Sequence, residues 1–252
     1  SVTISKYGDK KVTDLSDWGR PIARIIANFL KDKPVSVIQV TNLHLVLTIY
    51  CSWLILEGSM VTACALLVVK GVIDAVDGEL ARIRDKPSHV GRYWDTIADS
   101  IGLFAVMCSF AVVLQWTPYV TGLIILAILF QYSLFNYYSI AMRSLSLGDT
   151  TSRLDERTKP TAYPWEKQST VNFFHRIYLL SFSWQDRIIA KLSGKGSESL
   201  MFEFTLSSLL GFGFQSLILL ILALTEQLDH LPELVLLFNS AVMGAVLLRS
   251  RI

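Results

Sequence analysis

The sequence predicts an all-α, polytopic membrane protein: a bundle of six transmembrane helices preceded by an amphipathic helix lying in the membrane interface. Three observations carry this expectation. Of 252 residues, 52% are hydrophobic and 17% charged, with a mean hydropathy of +0.46, which is too apolar for an ordinary soluble domain. Six stretches, near residues 37–57, 60–83, 92–115, 119–142, 200–225 and 231–249, have the roughly 20 residues that cross a bilayer as a helix. The basic residues sort to one side. Seven Lys/Arg precede the first stretch, four gather around the junction of the second and third, nine lie between the fourth and fifth, and two follow the sixth. The opposite loops carry only Glu57, Glu226, Asp229 and Glu233. The positive-inside rule then places both termini in the cytoplasm, with the chain in a cell inner membrane or its equivalent.

Residues 1–33 read as a cytoplasmic arm and 34–252 as the membrane domain. Residues 1–13 are polar and expected to be poorly ordered. No cleavable signal peptide is expected, because no apolar run in the first 33 residues leads to a cleavage site. From Leu15 onward Trp18, Ile22, Ile25, Ile26 and Phe29 recur at helical spacing, opposite Asp14, Asp17, Arg20, Arg24, Asn28 and Lys31. That pattern predicts an interfacial helix with Asp17 as its cap, so that Pro21 falls in the first turn where no amide is missed.

The first span carries Gln39, Thr41, Asn42 and His44 in its opening turns, either facing a cytoplasmic cavity or satisfied against neighbouring helices. The second holds Lys70 four residues before Asp74, on the same helix face, which suits a buried ion pair better than a phosphate contact. Trp116 and Tyr119 mark the outer interface between spans three and four. Residues 145–168 read as a polar cytoplasmic loop. A second interfacial helix follows, with Phe174, Ile177, Tyr178, Trp184 and Ile188 on one side, Arg176, Arg187 and Lys191 on the other, and Gly194 and Gly196 ending it. Spans five and six close the bundle. Cys51, Cys64 and Cys108 lack ligand-like spacing and are expected as buried thiols.

The chemistry concentrates in residues 74–99, DAVDGELARIRDKPSHVGRYWDTIAD. Four carboxylates, Asp74, Asp77, Asp95 and Asp99, lie in or beside apolar segments, where charge is costly without compensation. At 100° per residue Asp74, Asp77, Gly78, Ala81 and Arg82 span about 140° of span two, and Gly91, Asp95 and Asp99 a strip about 80° wide on span three. Gly78, Ala81 and Gly91 remove side-chain bulk, so a ligand can approach the backbone, and Arg82 suits a phosphate. With no Cys or His expected in the cluster, oxygen ligation points to Mg2+ or Mn2+. Two such ions beside a phosphate make phosphoryl transfer the natural chemistry, with one free carboxylate able to take a proton from an attacking hydroxyl. A cation or proton transporter with a carboxylate relay, or an inert polar cluster in a silent scaffold, would also place acids in membrane helices. Neither predicts the small residues and the arginine.

The pattern D-x2-D-G-x2-A-R-x8-G-x3-D-x3-D is matched at Asp74, Asp77, Gly78, Ala81, Arg82, Gly91, Asp95 and Asp99, and it resembles the signature of the CDP-alcohol phosphotransferase family. The six-span layout with an interfacial helix is similar to that family over most of the chain. The resemblance implies homodimeric enzymes of phospholipid biosynthesis that bind a CDP-linked alcohol in a cavity open to the cytoplasm. An acceptor hydroxyl would attack the β-phosphorus and release CMP. By the same resemblance Asp74, Asp77 and Asp95 would hold divalent cations, with Asp99 as a further ligand and general base. Gly78, Ala81, Arg82 and Gly91 would line the CDP pocket. Many members have Thr-Pro-Asn-x-x-Thr entering span one. Here Ser36-Val37-Ile38-Gln39-Val40-Thr41 keeps only the flanking hydroxyls, so Thr41 is the matching nucleotide-side residue, with Gln39 and Asn42 the amides that could replace the missing Asn. A phosphorylated acceptor would need cations, for which Arg143, Arg187 and Lys191 are the candidates, each equally explained as flanking charge. One substrate is expected to be a lipid. No nucleic-acid partner is expected.

Overall fold

The computed structural model describes residues 6–7, 12–146, 156–193 and 200–250, and these contain helices and no strand. Helix α1 covers Arg20–Leu30, α2 Val37–Leu56, α3 Met60–Ile83, α4 His89–Val113 and α5 Pro118–Leu145. Two shorter helices follow, α6 Gln168–Ser181 and α7 Ser183–Leu192, then α8 Leu200–Ser207 with a 3-10 turn Ser208–Leu210, and α9 Phe212–Leu224. A terminal stretch, Leu228–Arg249, completes the chain's helices.

Four of these, α2, α4, α5 and the terminal stretch, are long and apolar enough to cross a membrane. A fifth forms if Leu200–Leu210 and Phe212–Leu224, bent by 42° at Gly211, count as one broken span. The chain is an integral membrane protein on this evidence. Helix α3 has the length, 24 residues, but Lys70, Asp74 and Asp77 in its middle set it apart from an ordinary span.

The helix ends are locally encoded. Ser36 and Gln39 form a reciprocal capping box at the start of α2, with the Ser36 hydroxyl accepting from the Gln39 amide at 3.1 Å and the Gln39 side chain accepting from the Ser36 amide at 2.8 Å. Ser88 caps α4 through the Gly91 amide at 2.8 Å. Helices α2, α3, α4 and α9 each end in a residue with positive φ, Gly58, Asp85, Gln115 and Glu226. In each case the next amide reaches five residues back, as in Ser59 to the Leu54 carbonyl and Lys86 to the Ala81 carbonyl.

Helix α1 begins at Arg20 with Gly19 at its cap position, so Asp17 does not cap it as the periodicity suggested. Asp17 instead pairs with Arg20 and Lys6. Burial pushes its pKa up, but the two cations outweigh that and hold it below the usual carboxylate range. Ala23 and Ala27 are fully buried against α3, where small residues let the helices approach, while Ile22, Ile25 and Phe29 are exposed. Arg84, just past α3, secures the far end of α1. Its guanidinium donates to the carbonyls of Leu30, Lys31, Lys33 and Val35 at 2.6–2.9 Å.

Three expectations are corrected. Of residues 1–13, expected to be poorly ordered, 1–5 and 8–11 lie outside the described residues, but Tyr7 is buried against Phe204 and donates to Asp14 at 2.7 Å. Cys108 is exposed, while Cys51 and Cys64 are buried. The second interfacial helix is two helices broken at Phe182, with Tyr178 turned inward to donate to Asp186 at 2.8 Å. Its proposed stop at Gly194 and Gly196 lies outside the described residues.

At the centre of the bundle α2 packs against both α3 and α4. Where α2 crosses α4, a Cβ on Gly102 would stand 2.8 Å from the Thr48 methyl. Gly102→Ala is expected to cost about 1–3 kcal/mol through overpacking, read as a lower melting temperature of the detergent-solubilised protein.

Candidate metal and phosphate site

Helices α2, α3 and α4 each contribute one face to the site. The buried polar groups of α2 fall at Thr41, His44, Thr48 and Ser52, a stripe at helical spacing. Asp74 and Asp77 face it from α3 and Asp95 from α4. The His44 Nε2 atom lies 3.2 Å from Asp95 Oδ1, 3.6 Å from Asp74 Oδ1 and 3.9 Å from Asp77 Oδ2. Ligand atoms from these four residues all fall within 4.8 Å of one another, close enough to hold one metal ion.

The expectation that no His joins the cluster is therefore corrected. His44 sits three residues after Thr41 on the same face, and that i, i+3 spacing was the signal that could have found it. The donor set remains dominated by carboxylate oxygen, which suits Mg2+ or Mn2+, and an imidazole suits Mn2+ the better of the two. Nδ1 of His44 is buried without a hydrogen-bond partner, so the ring is held by packing and by the carboxylates. Three carboxylates converging here repel one another strongly away from water, a repulsion that a bound cation would relieve. The residues fit a divalent ion.

Asp99 lies one turn further along α4 and is paired differently. The Lys70 ammonium donates to it at 2.5 Å and to Asp74 at 3.4 Å, and lies 4.4 Å from the Phe212 ring centre. The expected Lys70–Asp74 pair is present, with a shorter bond to Asp99 beside it. Lys70 thus pairs with two of the four aspartates.

The other signature residues divide. Thr41 donates to Asp77 Oδ2 at 2.8 Å, so its hydroxyl orients a carboxylate. Gly78 makes room for Arg82, whose Nη2 would stand 3.2 Å from a Cβ there. Arg82 donates to Glu79 at 2.9 Å, and Glu79 also accepts from Arg20 at 2.5 Å, which ties α1 to the end of α3. The backbone above Gly78 is thus covered by a guanidinium rather than open. Ala81 is half-buried on α3 beside it. Gly91 is buried in the first turn of α4, where a Cβ would press on Ser88 Oγ at 3.1 Å. Gln39 is used in the α2 cap, and Asn42 accepts from the Trp94 indole at 2.8 Å.

The three acceptor-side cations stand elsewhere, on α5 and α7. Arg143 donates to Ser139 at 3.2 Å, Arg187 donates to the Ser183 carbonyl of its own helix at 3.1 Å, and Lys191 is exposed. The loop between α5 and α6 is bound to α4. Glu156 takes a bidentate pair from Arg92 at 2.7 and 2.8 Å, and Glu166 accepts from Ser88 at 2.7 Å and from the Val90 amide at 2.9 Å. Sequence reasoning missed both carboxylates, which lie in a segment without periodicity.

A family model described as CDP-alcohol phosphatidyltransferase matches residues 36–195, more than half of the chain and all of α2 to α7. None of the curated proteins compared with it matches the chain. A carboxylate cluster with the match around it leads to one assignment: the chain belongs to the CDP-alcohol phosphatidyltransferase family, membrane transferases of phosphate-containing groups in phospholipid synthesis.

Proposed function

We propose that the protein moves a substituted phosphate from a CDP-linked alcohol to an acceptor hydroxyl and releases CMP. The single observation that supports this most is the convergence of Asp74, Asp77, Asp95 and His44 within 4.8 Å, beside an arginine at the end of α3. Such a set calls for a divalent cation, and the family supplies a pyrophosphate donor that would share it.

In this reading Asp74, Asp77 and Asp95, with His44, hold Mg2+ or Mn2+, and Asp99 stands near as a ligand of a second ion. When bound, the ions neutralise the donor's phosphates and the charge that develops on the leaving group. Arg82 turns from Glu79 toward the diphosphate, while Gly78, Ala81 and Gly91 shape the wall for the cytidine. Thr41 keeps Asp77 in place. Asp99, positioned by Lys70, accepts the proton of the acceptor hydroxyl as its oxygen bonds to the β-phosphorus. The bond between that phosphorus and the oxygen bridging to the α-phosphate breaks, its electron pair leaves with CMP, and the product is a phosphodiester.

The charge distribution supports six spans, with α3 as the additional one, and places the site and both termini on the cytoplasmic side. Helix α1, with Ile25 and Phe29 each 71% exposed, suits a helix lying in the inner interface. The family resemblance further suggests a homodimer.

Metal removal tests the reading. Protein treated with EDTA is expected to lose binding of CDP, measured by calorimetry in detergent, and Mn2+ or Mg2+ is expected to restore it. CDP binding that is unchanged after metal removal would contradict the proposal.

A further inference from the structure

The order of groups along α3 and α4 gives the site a direction. Arg82 and Gly78 stand at the end of α3, Asp77 and Asp95 follow, and Asp74, Asp99 and Lys70 lie deeper. From Arg82 to Lys70 is twelve residues, about 18 Å along a helix. Beyond Asp99 the bundle holds a cavity of about 70 Å3, more than one ordered water requires.

The wall of this cavity is mostly hydrocarbon, including Leu67, Leu103, Val106, Met107, Ile128 and Leu219. Among its lining residues only Lys70 and Asp99 carry charge, and they are paired with each other. The amides that line it are spent on protein groups. Gln131 donates to the Val235 carbonyl at 2.9 Å in the π-helical turn Leu234–Asn239, and Gln215 donates to the Leu209 carbonyl at 2.7 Å. Thr48 donates to the His44 carbonyl at 2.7 Å. Ser216 donates to the Gly213 carbonyl at 2.9 Å, and Tyr132 adds a hydroxyl to the wall. The cavity therefore has its charge at the Asp99 end and a mostly apolar remainder.

We infer that this cavity receives the acceptor of the proposed transfer, and that the acceptor is an uncharged lipid alcohol, with its hydroxyl at Asp99 and its hydrocarbon along α4 and α9. The inference rests on the transferase reading given above and deepens it. Displacement at phosphorus runs in line, so the attacking oxygen must stand opposite the departing CMP. With the nucleotide at the Gly78 and Arg82 end, the opposite side is the deep side, where the cavity begins. The phosphate of a phosphorylated acceptor would find no free cation in the cavity wall, where Lys70 is paired with Asp99 and none of Arg143, Arg187 or Lys191 stands. An alcohol with an apolar body meets no such cost. The lipid oxygen bonds to the β-phosphorus, its proton passes to Asp99, and CMP departs with the bridging oxygen.

The test uses the purified full chain in mixed micelles with Mn2+. CDP-choline, CDP-ethanolamine and CDP-inositol would each be offered with dioleoylglycerol or with glycerol 3-phosphate. CDP-diacylglycerol would be offered with glycerol 3-phosphate, serine or inositol. CMP is expected from a water-soluble CDP-alcohol only when dioleoylglycerol is present. Val106→Phe, which fills the cavity, is expected to lower kcat/KM for dioleoylglycerol at least about tenfold, the scale of methylene-sized changes in an apolar pocket, with metal-dependent CDP binding retained. Leu219→Phe narrows the same space from α9 and serves if the first variant does not fold. Release of CMP from CDP-diacylglycerol with a water-soluble acceptor, or filled-cavity variants with full activity toward dioleoylglycerol, overturns the inference and leaves the transferase reading standing. Absence of CMP from every combination, in protein that remains folded, overturns both.

Discussion

Asp95→Asn is expected to abolish metal-dependent function while leaving the fold intact. Asp95 is the carboxylate closest to His44, at 3.2 Å, and its side chain is 33% exposed, so it can reach both the imidazole and an incoming ion. Asparagine keeps its volume but removes a charge from a set of converging carboxylates. Loss of the metal's charge stabilisation is worth several kcal/mol, which converts to roughly a 10²- to 10³-fold fall in CMP release. The stability readout has an unusual sign. Without metal the variant is expected to melt at or above the unmodified protein, because like-charge repulsion is relieved. With Mn2+ the unmodified protein is expected to gain stability by mass action and the variant to gain little. A variant that melts lower in both conditions would mean that Asp95 is a packing residue, and the metal assignment would fail.

Asp99→Asn separates chemistry from binding. Asp99 is not part of the four-residue group around His44, and its partner is Lys70 at 2.5 Å. If it takes the acceptor's proton, the amide should lower kcat by about 10²- to 10⁴-fold, the range of general-base catalysis, with CDP binding within a few-fold of the original. KM for the acceptor should change far less than kcat. Equal loss of CDP affinity and of turnover would instead place Asp99 among the principal metal ligands. Removal of Lys70 makes a poorer test, because a buried ion pair that loses one partner costs about 3–5 kcal/mol of stability. The Lys70 side chain is only 5% exposed.

Much of this site was legible along single helices. The 100° rule put Asp74, Asp77 and Arg82 on one face of α3, and Asp95 and Asp99 on one face of α4. The lengths of the apolar stretches set boundaries for α2 to α5 close to those observed. Relations between helices were less legible. His44 joins the aspartates only because α2 crosses α3 and α4, so its spacing from Thr41 marks a polar face without naming what that face meets. The Lys70–Asp74 pair follows from local spacing, whereas the shorter bond to Asp99 depends on the α3–α4 register.

The N-terminal arm shows the same limit. Ser16 Oγ accepts from the Gly213 amide at 3.0 Å and Trp18 donates to the Gly213 carbonyl at 3.0 Å, just beyond the bend at Gly211. Nearly 200 residues separate these partners, and nothing in the polar composition of residues 12–18 reveals them. The Ser16 hydroxyl thereby satisfies a first-turn amide of α9 that the break at Gly211 leaves without an internal partner. Arg82 illustrates a further difference. Its place in the signature suggests a phosphate, and here it rests on Glu79 with Arg20 alongside, so a phosphate contact would have to draw it from an existing ion pair.

CMP release is the most direct measurement of the central claim. Purified protein would be supplied with Mn2+ or Mg2+, a panel of CDP-alcohols that includes CDP-diacylglycerol, and both lipid and water-soluble acceptors, with Asp95→Asn in parallel. The account predicts CMP formation that depends on one donor, one acceptor and a divalent cation, and that disappears in the variant. A folded protein that binds neither CDP nor metal and releases no CMP from any donor would contradict it.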